Sequence, residues 1–206
     1  MDVREALSKS RSYRRFYQDA VISDSDLMTI ADAARLSPSG RNIQALKFLI
    51  SNNPELNGRI FPYLAWAGYL TDWNGPEERE RPSAYIIQML DKNITSNIMS
   101  EDCGITAQSM LLQATELGYG GCIIAAVRRK ELHAVLELDD RYSIMNVIAL
   151  GKPKETVIIE DMKDGEYRYW RDADGTHHVP KRSLDELVIL KNNTPQISRL
   201  RVCCLT

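Results

Sequence analysis

The sequence predicts a single-domain α+β protein, on three observations. Segments with helical periodicity and short apolar runs typical of buried strands follow one another along the chain. Their order is mixed and lacks the regular alternation of a βαβ protein. With 206 residues, the chain can bury one sizeable core but is short for two independent ones. We therefore expect one domain over residues 1–206.

The first half of the chain contains two predicted helices and two predicted strands. Ser23 is a good helix N-cap, acidic residues follow it, and Pro38 ends the apolar stripe that begins there. Asn53 and Pro54 indicate a turn after a short apolar run. The predicted elements are helices 3–10 and 24–36 and strands 45–50 and 84–90.

The second half begins with the clearest helix of the sequence, residues 102–117. Apolar residues cover nearly its whole circumference, which predicts a helix buried in the core or against a second subunit. Asp-Gly at 174–175, between two β-prone segments, predicts a hairpin over 166–179. The other predicted elements are strand 122–127, helix 129–138, strand 144–150 and a helix that begins at Ser183.

Composition argues against several classes of protein. A net charge of −2 gives no overall attraction for nucleic acid or an anionic membrane. No apolar run approaches the roughly 20 residues of a membrane helix, and the N-terminus does not resemble a secretory signal. The four cysteines form no C-x-x-C pair, which argues against a metal site. We expect a cytoplasmic protein without a metal ion.

Three polar segments are candidates for ligand binding. Arg11, Ser12 and Arg14 could share a face and bind a phosphate, although such a cluster alone is more often a solvated patch. Lys181 and Arg182 form a second basic pair. The loop 37–44 offers two amide side chains to a planar heterocycle, or is an ordinary polar loop. Its candidate residues are Pro38, Ser39, Asn42 and Gln44.

Taken together and in this order, these segments resemble the nitroreductase family of FMN-dependent oxidoreductases. The residues that carry the resemblance are Arg11-Ser12-Tyr13-Arg14-Arg15-Phe16, Ser37 to Gln44, the helix from Asp102 through Gly104, Gln108 and Ala114 into Gly118-Tyr119-Gly120, the turn Gly151-Lys152-Pro153, and Lys181 to Leu187. The resemblance covers residues 10 to about 190. It implies a three-layer α/β/α fold with a central mixed, mainly antiparallel sheet flanked by helices.

The resemblance also implies a site and its chemistry. Arg11, Ser12 and Arg14 would hold the FMN phosphate with Arg182 and Lys181. The candidate residues of loop 37–44 would lie along the ribityl chain and ring, and Gly120 and Gly121 would bring backbone close to the ring. NADH or NADPH would reduce the flavin at N5, and a small organic acceptor would then take two electrons, so no protein side chain is expected to be catalytic.

Members of this family are homodimers with FMN between subunits, and the tail 183–206 could pack on the partner. Two departures from the family pattern are Ser10, where a basic residue is common, and Ala45-Leu46, where Pro-Trp is usual. Two rival functions therefore stay open. One is a flavin-consuming or non-turnover flavin-binding protein on the same scaffold, and the other is a module that has lost the flavin.

Aromatic residues between 59 and 85 suggest an acceptor pocket. We expect Phe61, Trp66, Tyr69 and Trp73 to line it, with the charged loop 76–82 as a mobile lid. A core role for these aromatics and a surface role for the loop are equally compatible with the sequence.

Overall fold

The computed structural model describes residues 1–97 and 100–190 and contains helices and two sheets. The helices are α1 Val3–Lys9, α2 Asp24–Arg35, α3 Pro54–Ile60, α4 Ser100–Glu116, α5 Arg129–Val135 and α6 Leu184–Leu187, with 3₁₀ turns at Gly40–Asn42 and Phe61–Tyr63. The strands are β1 Phe16–Tyr17, β2 Leu46–Ser51, β3 Ala84–Asp91, β4 Gly120–Ile124, β5 Tyr142–Pro153, β6 Val157–Asp161, β7 Trp170–Arg171 and β8 His177–Lys181.

Local capping explains where the helices begin. Ser23 Oγ accepts the backbone N–H of Asp26, so α2 starts at the predicted position. Asn53 caps α3 in the same way, and Pro54 occupies its first turn. We predicted a turn at Asn53-Pro54 and missed α3, because this dipeptide also suits the first residues of a helix.

The central sheet has five strands. β3 pairs with β2 and β5, and β4 and β1 also pair with β5, all antiparallel. An isolated parallel bridge joins Ser12 to Gly121. The sheet is therefore mixed and mainly antiparallel, which confirms the expected fold class. β4 starts and ends earlier than the predicted strand 122–127. Gly120 and Gly121 already pair with β5, and the strand ends at Ile124.

Helices cover both faces of this sheet. Ile86 of β3 packs with α2 and α4 in one buried cluster, whereas its neighbours Tyr85 and Ile87 pack in a second cluster with Leu132 of α5. Alternate residues of a strand point to opposite faces, so the two clusters lie on opposite sides of the sheet. The expected three-layer arrangement follows from this alternation.

A smaller three-stranded sheet follows the central one. β7 and β8 form the predicted hairpin, and their turn ends at Gly175, whose φ is +84°. β6, which was not predicted, pairs with β8 in parallel. Ser183 caps α6 through a capping box, so this helix starts at the predicted position, and residues 191–206 of the predicted C-terminal tail lie outside the described residues.

Candidate functional site

The N-terminal basic cluster contains two guanidinium groups that no described carboxylate neutralises. Arg11 donates to the carbonyl of Leu7, and its buried Nε has no hydrogen-bond partner within residues 1–97 and 100–190. Burial lowers the pKa of Arg11. Arg14 donates to the carbonyl of Ser12 over 3.2 Å and lies 3.1 Å from His177 Nε2. Both side chains therefore have unused capacity to bind an anion.

Neighbouring contacts hold this cluster in place. Glu155 accepts the backbone N–H groups of Arg14 and Arg15 and pairs with Arg171 at 2.9 Å. The guanidinium of Arg14 also lies 4.7 Å from the ring centre of Tyr169. Arg15 differs from its neighbours because it forms an ion pair with Glu80. Only this long-range contact shows that Arg15 has a carboxylate partner, which Arg14 lacks among the described residues.

Gly120 and Gly121 lie in β4 next to this cluster, since Ser12 bridges to Gly121. A Cβ at Gly120 would stand 2.5 Å from the Tyr13 ring, and one at Gly121 would stand 2.5 Å from the carbonyl oxygen of Ala149. Packing within the chain therefore requires both glycines. Their expected position beside a flavin ring stays a prediction.

The loop 37–44 is held by Asp102, a buried residue in the first turn of α4. Its carboxylate accepts the hydroxyl of Ser39 at 2.6 Å and the backbone N–H of Gly40 at 2.9 Å. Ser39 Oγ in turn accepts the N–H of Gln44, whose side chain donates to Asn42 Oδ1. The sequence pattern included Asp102 only as part of a helix and did not predict this contact.

Three residues of this loop have positive φ although none is glycine. The φ angles are 52° at Arg41, 57° at Asn42 and 53° at Gln44. Such conformations cost free energy and occur mainly where surrounding contacts enforce them, often at binding sites. Pro38 lies directly before the Ser39 that Asp102 holds.

Within one chain, the basic cluster and loop 37–44 lie at opposite ends of β3. Leu150 pairs with both Gly121 and Ala84, so Ser12 lies level with the start of β3, with β4 and β5 between them. At the other end, Asp91 donates its N–H to Ala45, next to Gln44. Seven residue steps of about 3.4 Å separate these ends by roughly 24 Å.

The second basic pair, Lys181 and Arg182, makes no described contact with the N-terminal basic cluster. Lys181 ends β8, and its carbonyl accepts the N–H of Met162. Arg182 forms an exposed pair with Glu186 at 3.4 Å. The strand that carries this pair nevertheless begins at His177, which contacts Arg14. An extended strand places the Cα of Lys181 about 13 Å from that of His177.

The four aromatic residues of the expected acceptor pocket divide into two groups. Phe61, Trp66 and Trp73 pack in the buried cluster on the α5 side of the sheet, with the Phe61 and Trp66 ring centres 5.9 Å apart. Tyr69 is exposed and packs on Tyr169, with a centre distance of 5.0 Å. Their role in acceptor binding stays a prediction.

The charged loop 76–82 is tied to its surroundings. Glu80 pairs with Arg15 and, at 3.0 Å, with Lys154. The backbone N–H of Phe16 donates to the Glu80 carbonyl, and Gln18 Oε1 accepts the N–H of Arg79. These contacts do not fit a freely moving lid, so we propose no lid role for this segment.

A shallow cavity that the sequence did not predict lies beyond the end of β4. It has a volume of about 300 Å³ and is lined by Tyr63, Leu64, Ala65, Ala126, Val127 and Arg128. Two backbone hydrogen bonds, Ala65 to Ala126 and Arg128 to Tyr63, hold its walls together.

His177 is the principal residue near the basic cluster that the sequence analysis missed. It is 1% exposed, and desolvation, followed by the charges of Arg14 and Arg171, lowers its pKa from 6.5 to about 4. His177 is therefore neutral at pH 7 and accepts a hydrogen bond from Arg14 through Nε2.

We expect the protein without cofactor to lose stability as the pH falls from 6.5 towards 4. The unfolded chain binds a proton at His177 in this window and the folded chain does not, so the slope has the sign of destabilisation by acid. A single titrating group changes the free energy of unfolding by at most about 1.4 kcal/mol per pH unit. Urea unfolding at several pH values measures this slope. His177→Asn should reduce the slope, and His133→Gln on α5 should keep it. An unchanged slope in His177→Asn would contradict the assignment.

Two kinds of feature are absent from the described part of the chain. In residues 1–97 and 100–190, no group of three His, Cys, Asp or Glu side chains is placed to hold a metal ion. Over the same ranges, no helix has the length and apolar character needed to cross a membrane.

Comparison with known proteins gives one consistent result. A sequence model of the nitroreductase family matches residues 7–152. A protein of Archaeoglobus fulgidus, provisionally named NADH dehydrogenase/NAD(P)H nitroreductase, is 26% identical over 148 residues, which are 68% of this chain and 80% of that protein. A protein of Methanothermobacter thermautotrophicus with the same provisional name is 28% identical over 173 residues, 80% and 84% of the two chains.

Solved structures share the fold. A provisionally named nitroreductase from Desulfovibrio desulfuricans, crystallised in complex with FMN, superposes with a TM-score of 0.68 at 24% identity and covers 93% of this chain and 98% of that one. A nitroreductase family protein from Clostridium novyi gives a TM-score of 0.63 at 24% identity, covering 75% and 86%.

Proposed function

The chain belongs to the nitroreductase family, and from this premise we propose that it is an FMN-dependent NAD(P)H oxidoreductase. In this proposal it transfers two electrons from NADH or NADPH to a small organic acceptor, such as a nitroaromatic or a quinone, by a ping-pong mechanism. The match over residues 7–152 includes the basic cluster, loop 37–44 and the central sheet. When bound, FMN supplies the redox chemistry, and the protein supplies binding and orientation.

The observation that carries the proposal is the pair of guanidinium groups without a carboxylate partner. Arg11 has a buried Nε with no described partner, and among the described residues the guanidinium of Arg14 forms hydrogen bonds only with neutral groups. A phosphate dianion provides the charge and the acceptor oxygens that both arginines lack. Arg15 is excluded from this role because Glu80 already occupies it. These residues fit the phosphate of FMN.

We further propose a homodimer in which each flavin takes its phosphate contacts from one subunit and loop 37–44 from the other. The support is the separation of roughly 24 Å along β3 between the two groups of residues in one chain. Pro38, Ser39, Asn42 and Gln44 would then approach the flavin from the partner. Lys181 and Arg182 stay proposed contacts with the phosphate, and Gly120 and Gly121 stay proposed backbone neighbours of the flavin ring. Free, buried thiols at Cys103 and Cys122 support a cytoplasmic location.

Trp73 and Trp66 offer a direct test of the proposed acceptor pocket. Arg171 lies 4.7 Å over the Trp73 ring, whereas Trp66 is 8% exposed and packs in the core. We expect Trp73→Ala to change the ratio of kcat/KM between a nitroaromatic and a quinone by about 10-fold, the effect of altered apolar contacts in a pocket. Steady-state assays with both acceptors measure this ratio. An unchanged ratio in both Trp73→Ala and Trp66→Ala would remove these residues from the pocket.

Purified protein distinguishes the proposed function from its rivals. A yellow protein that bleaches anaerobically with NADH or NADPH, and regains its colour when a nitroaromatic or quinone is added, is the expected result. Colour without bleaching would favour a flavin-consuming or non-turnover flavin protein. A protein that stays colourless after FMN is added would indicate that the flavin site has been lost.

A further inference from the structure

A second cavity, of about 100 Å³, lies on the α3 side of the sheet near the start of β3. Its lining residues include Gln18, Asn57, Phe61, Arg81, Ser83 and Tyr85. None of them belongs to the residues proposed to hold FMN. Phe61 alone is shared with the expected acceptor pocket.

Four buried polar atoms of this lining have no hydrogen-bond partner in residues 1–97 and 100–190. They are Asn57 Oδ1, Arg81 Nε, Ser83 Oγ and Tyr85 Oη. Asn57, Ser83 and Tyr85 are each less than one-tenth exposed. An unsatisfied buried donor or acceptor destabilises the folded state, and folded proteins leave few of them. Four in one small cavity indicate that something polar completes it.

The charge of the cavity selects an anion. Arg81 is its one ionisable cation, no Asp or Glu is among the lining residues, and Arg81 forms no ion pair in the part of the chain that the structure describes. The guanidinium lies 4.2 Å over the Phe61 ring, which holds its plane in place. Gln18 also lines the cavity but carries no charge. Its Oε1 accepts the backbone N–H groups of Arg79 and Arg81.

The hydrogen-bonding pattern narrows the chemistry further. Arg81, Ser83 and Tyr85 can donate to an oxyanion. Asn57 Oδ1 is an acceptor in a fixed orientation, because the amide nitrogen of Asn57 donates to the Ser83 carbonyl at 2.9 Å. A carboxylate that also carries one hydroxyl donor meets both requirements. A cavity of about 100 Å³ has room for a small anion of about five non-hydrogen atoms.

We propose that this cavity binds a small 2-hydroxycarboxylate of the size of glycolate, with its carboxylate on Arg81 and Tyr85 and its hydroxyl on Asn57. The site lies outside the residues proposed for FMN, so the inference goes beyond the oxidoreductase activity. Water alone would complete the hydrogen bonds but leave the charge of Arg81 without a counterion.

Isothermal titration calorimetry on the full-length protein, purified with FMN added, tests the site without turnover. Glycolate should bind with a Kd between about 10 µM and 1 mM, a range that a ligand of this size can reach. Acetate lacks the hydroxyl and glycolamide lacks the charge, so each should bind at least about 10-fold more weakly. No heat with glycolate at 10 mM, or equal affinity for glycolate and glycolamide, would overturn the proposal, and the first result would leave water as the occupant.

Variants locate the binding. Tyr85→Phe removes only an unpartnered hydroxyl, so the protein should fold and bind glycolate about 10- to 100-fold more weakly. Arg81→Gln should abolish measurable binding, and thermal unfolding of both variants verifies that they are folded. Arg79→Gln is the matched control, because Arg79 is exposed, lies two residues away and does not line the cavity. Unchanged affinity in Tyr85→Phe and Arg81→Gln would assign the heat to another site and overturn the proposal.

Discussion

Replacing Arg11 and Arg14 together by glutamine should weaken FMN binding between about 100-fold and 10,000-fold. A hydrogen bond to a charged group contributes about 1.5–3 kcal/mol, and the double change removes at least one such bond at each arginine. Each guanidinium lacks a carboxylate among the described residues, so the phosphate is the counterion that each would lose. The single variants should each show roughly half of the free-energy loss, since both groups act on one phosphate.

Quenching of FMN fluorescence on titration with the cofactor-free protein measures these affinities. Arg35→Gln is a suitable control, because Arg35 is an exposed arginine whose partner, Asp32, lies on the same helix. The loss of affinity in the double variant should be smaller for riboflavin, which has the ring without the phosphate. If the double variant bound FMN as tightly as the unmodified protein, the phosphate site would have to lie elsewhere on the chain.

Local chemistry explains what the sequence could predict. Ser23, Pro38 and Asp-Gly at 174–175 each fix an element through their own backbone or side chain, and α2 and the β7–β8 hairpin follow from them. β6 could not be predicted in this way, because its Val-Ile-Ile run is short and its pairing with β8 depends on residues 20 positions further on.

The candidate site divides in the same manner. The arginines and the polar loop were evident as residue types, but the ion pair that occupies Arg15 could not be predicted, because Glu80 lies 65 residues away along the chain. The contacts of His177 with Arg14 and of Asp102 with Ser39 could not be predicted either, because no local sequence motif links these residues to their partners. The separation of the two groups of residues along β3 could be read only from strand register.

Replacing Asp102 by alanine should lower the free energy of unfolding by about 2–4 kcal/mol. The carboxylate accepts the hydroxyl of Ser39 and the backbone N–H of Gly40, and its loss leaves both donors without an acceptor. Loop 37–44 then loses its contacts with Asp102, which help to offset the positive φ angles at Arg41 and Gln44, so it should leave the observed conformation. Urea denaturation measures the loss of stability.

The same variant separates the two halves of the proposed flavin site. Loop 37–44 would contact the ring and ribityl chain, and Arg11 and Arg14 the phosphate, so Asp102→Ala should weaken riboflavin and FMN by the same factor, whereas the arginine variants should affect FMN far more. Asp102→Asn keeps one acceptor and should retain about half of the lost stability. Glu101→Ala, an exposed acidic neighbour in the same turn of α4, should change neither quantity. Flavin affinities that stay unchanged in Asp102→Ala, despite the lost stability, would restrict loop 37–44 to a structural role and leave the phosphate contacts as the whole of the flavin site in this chain.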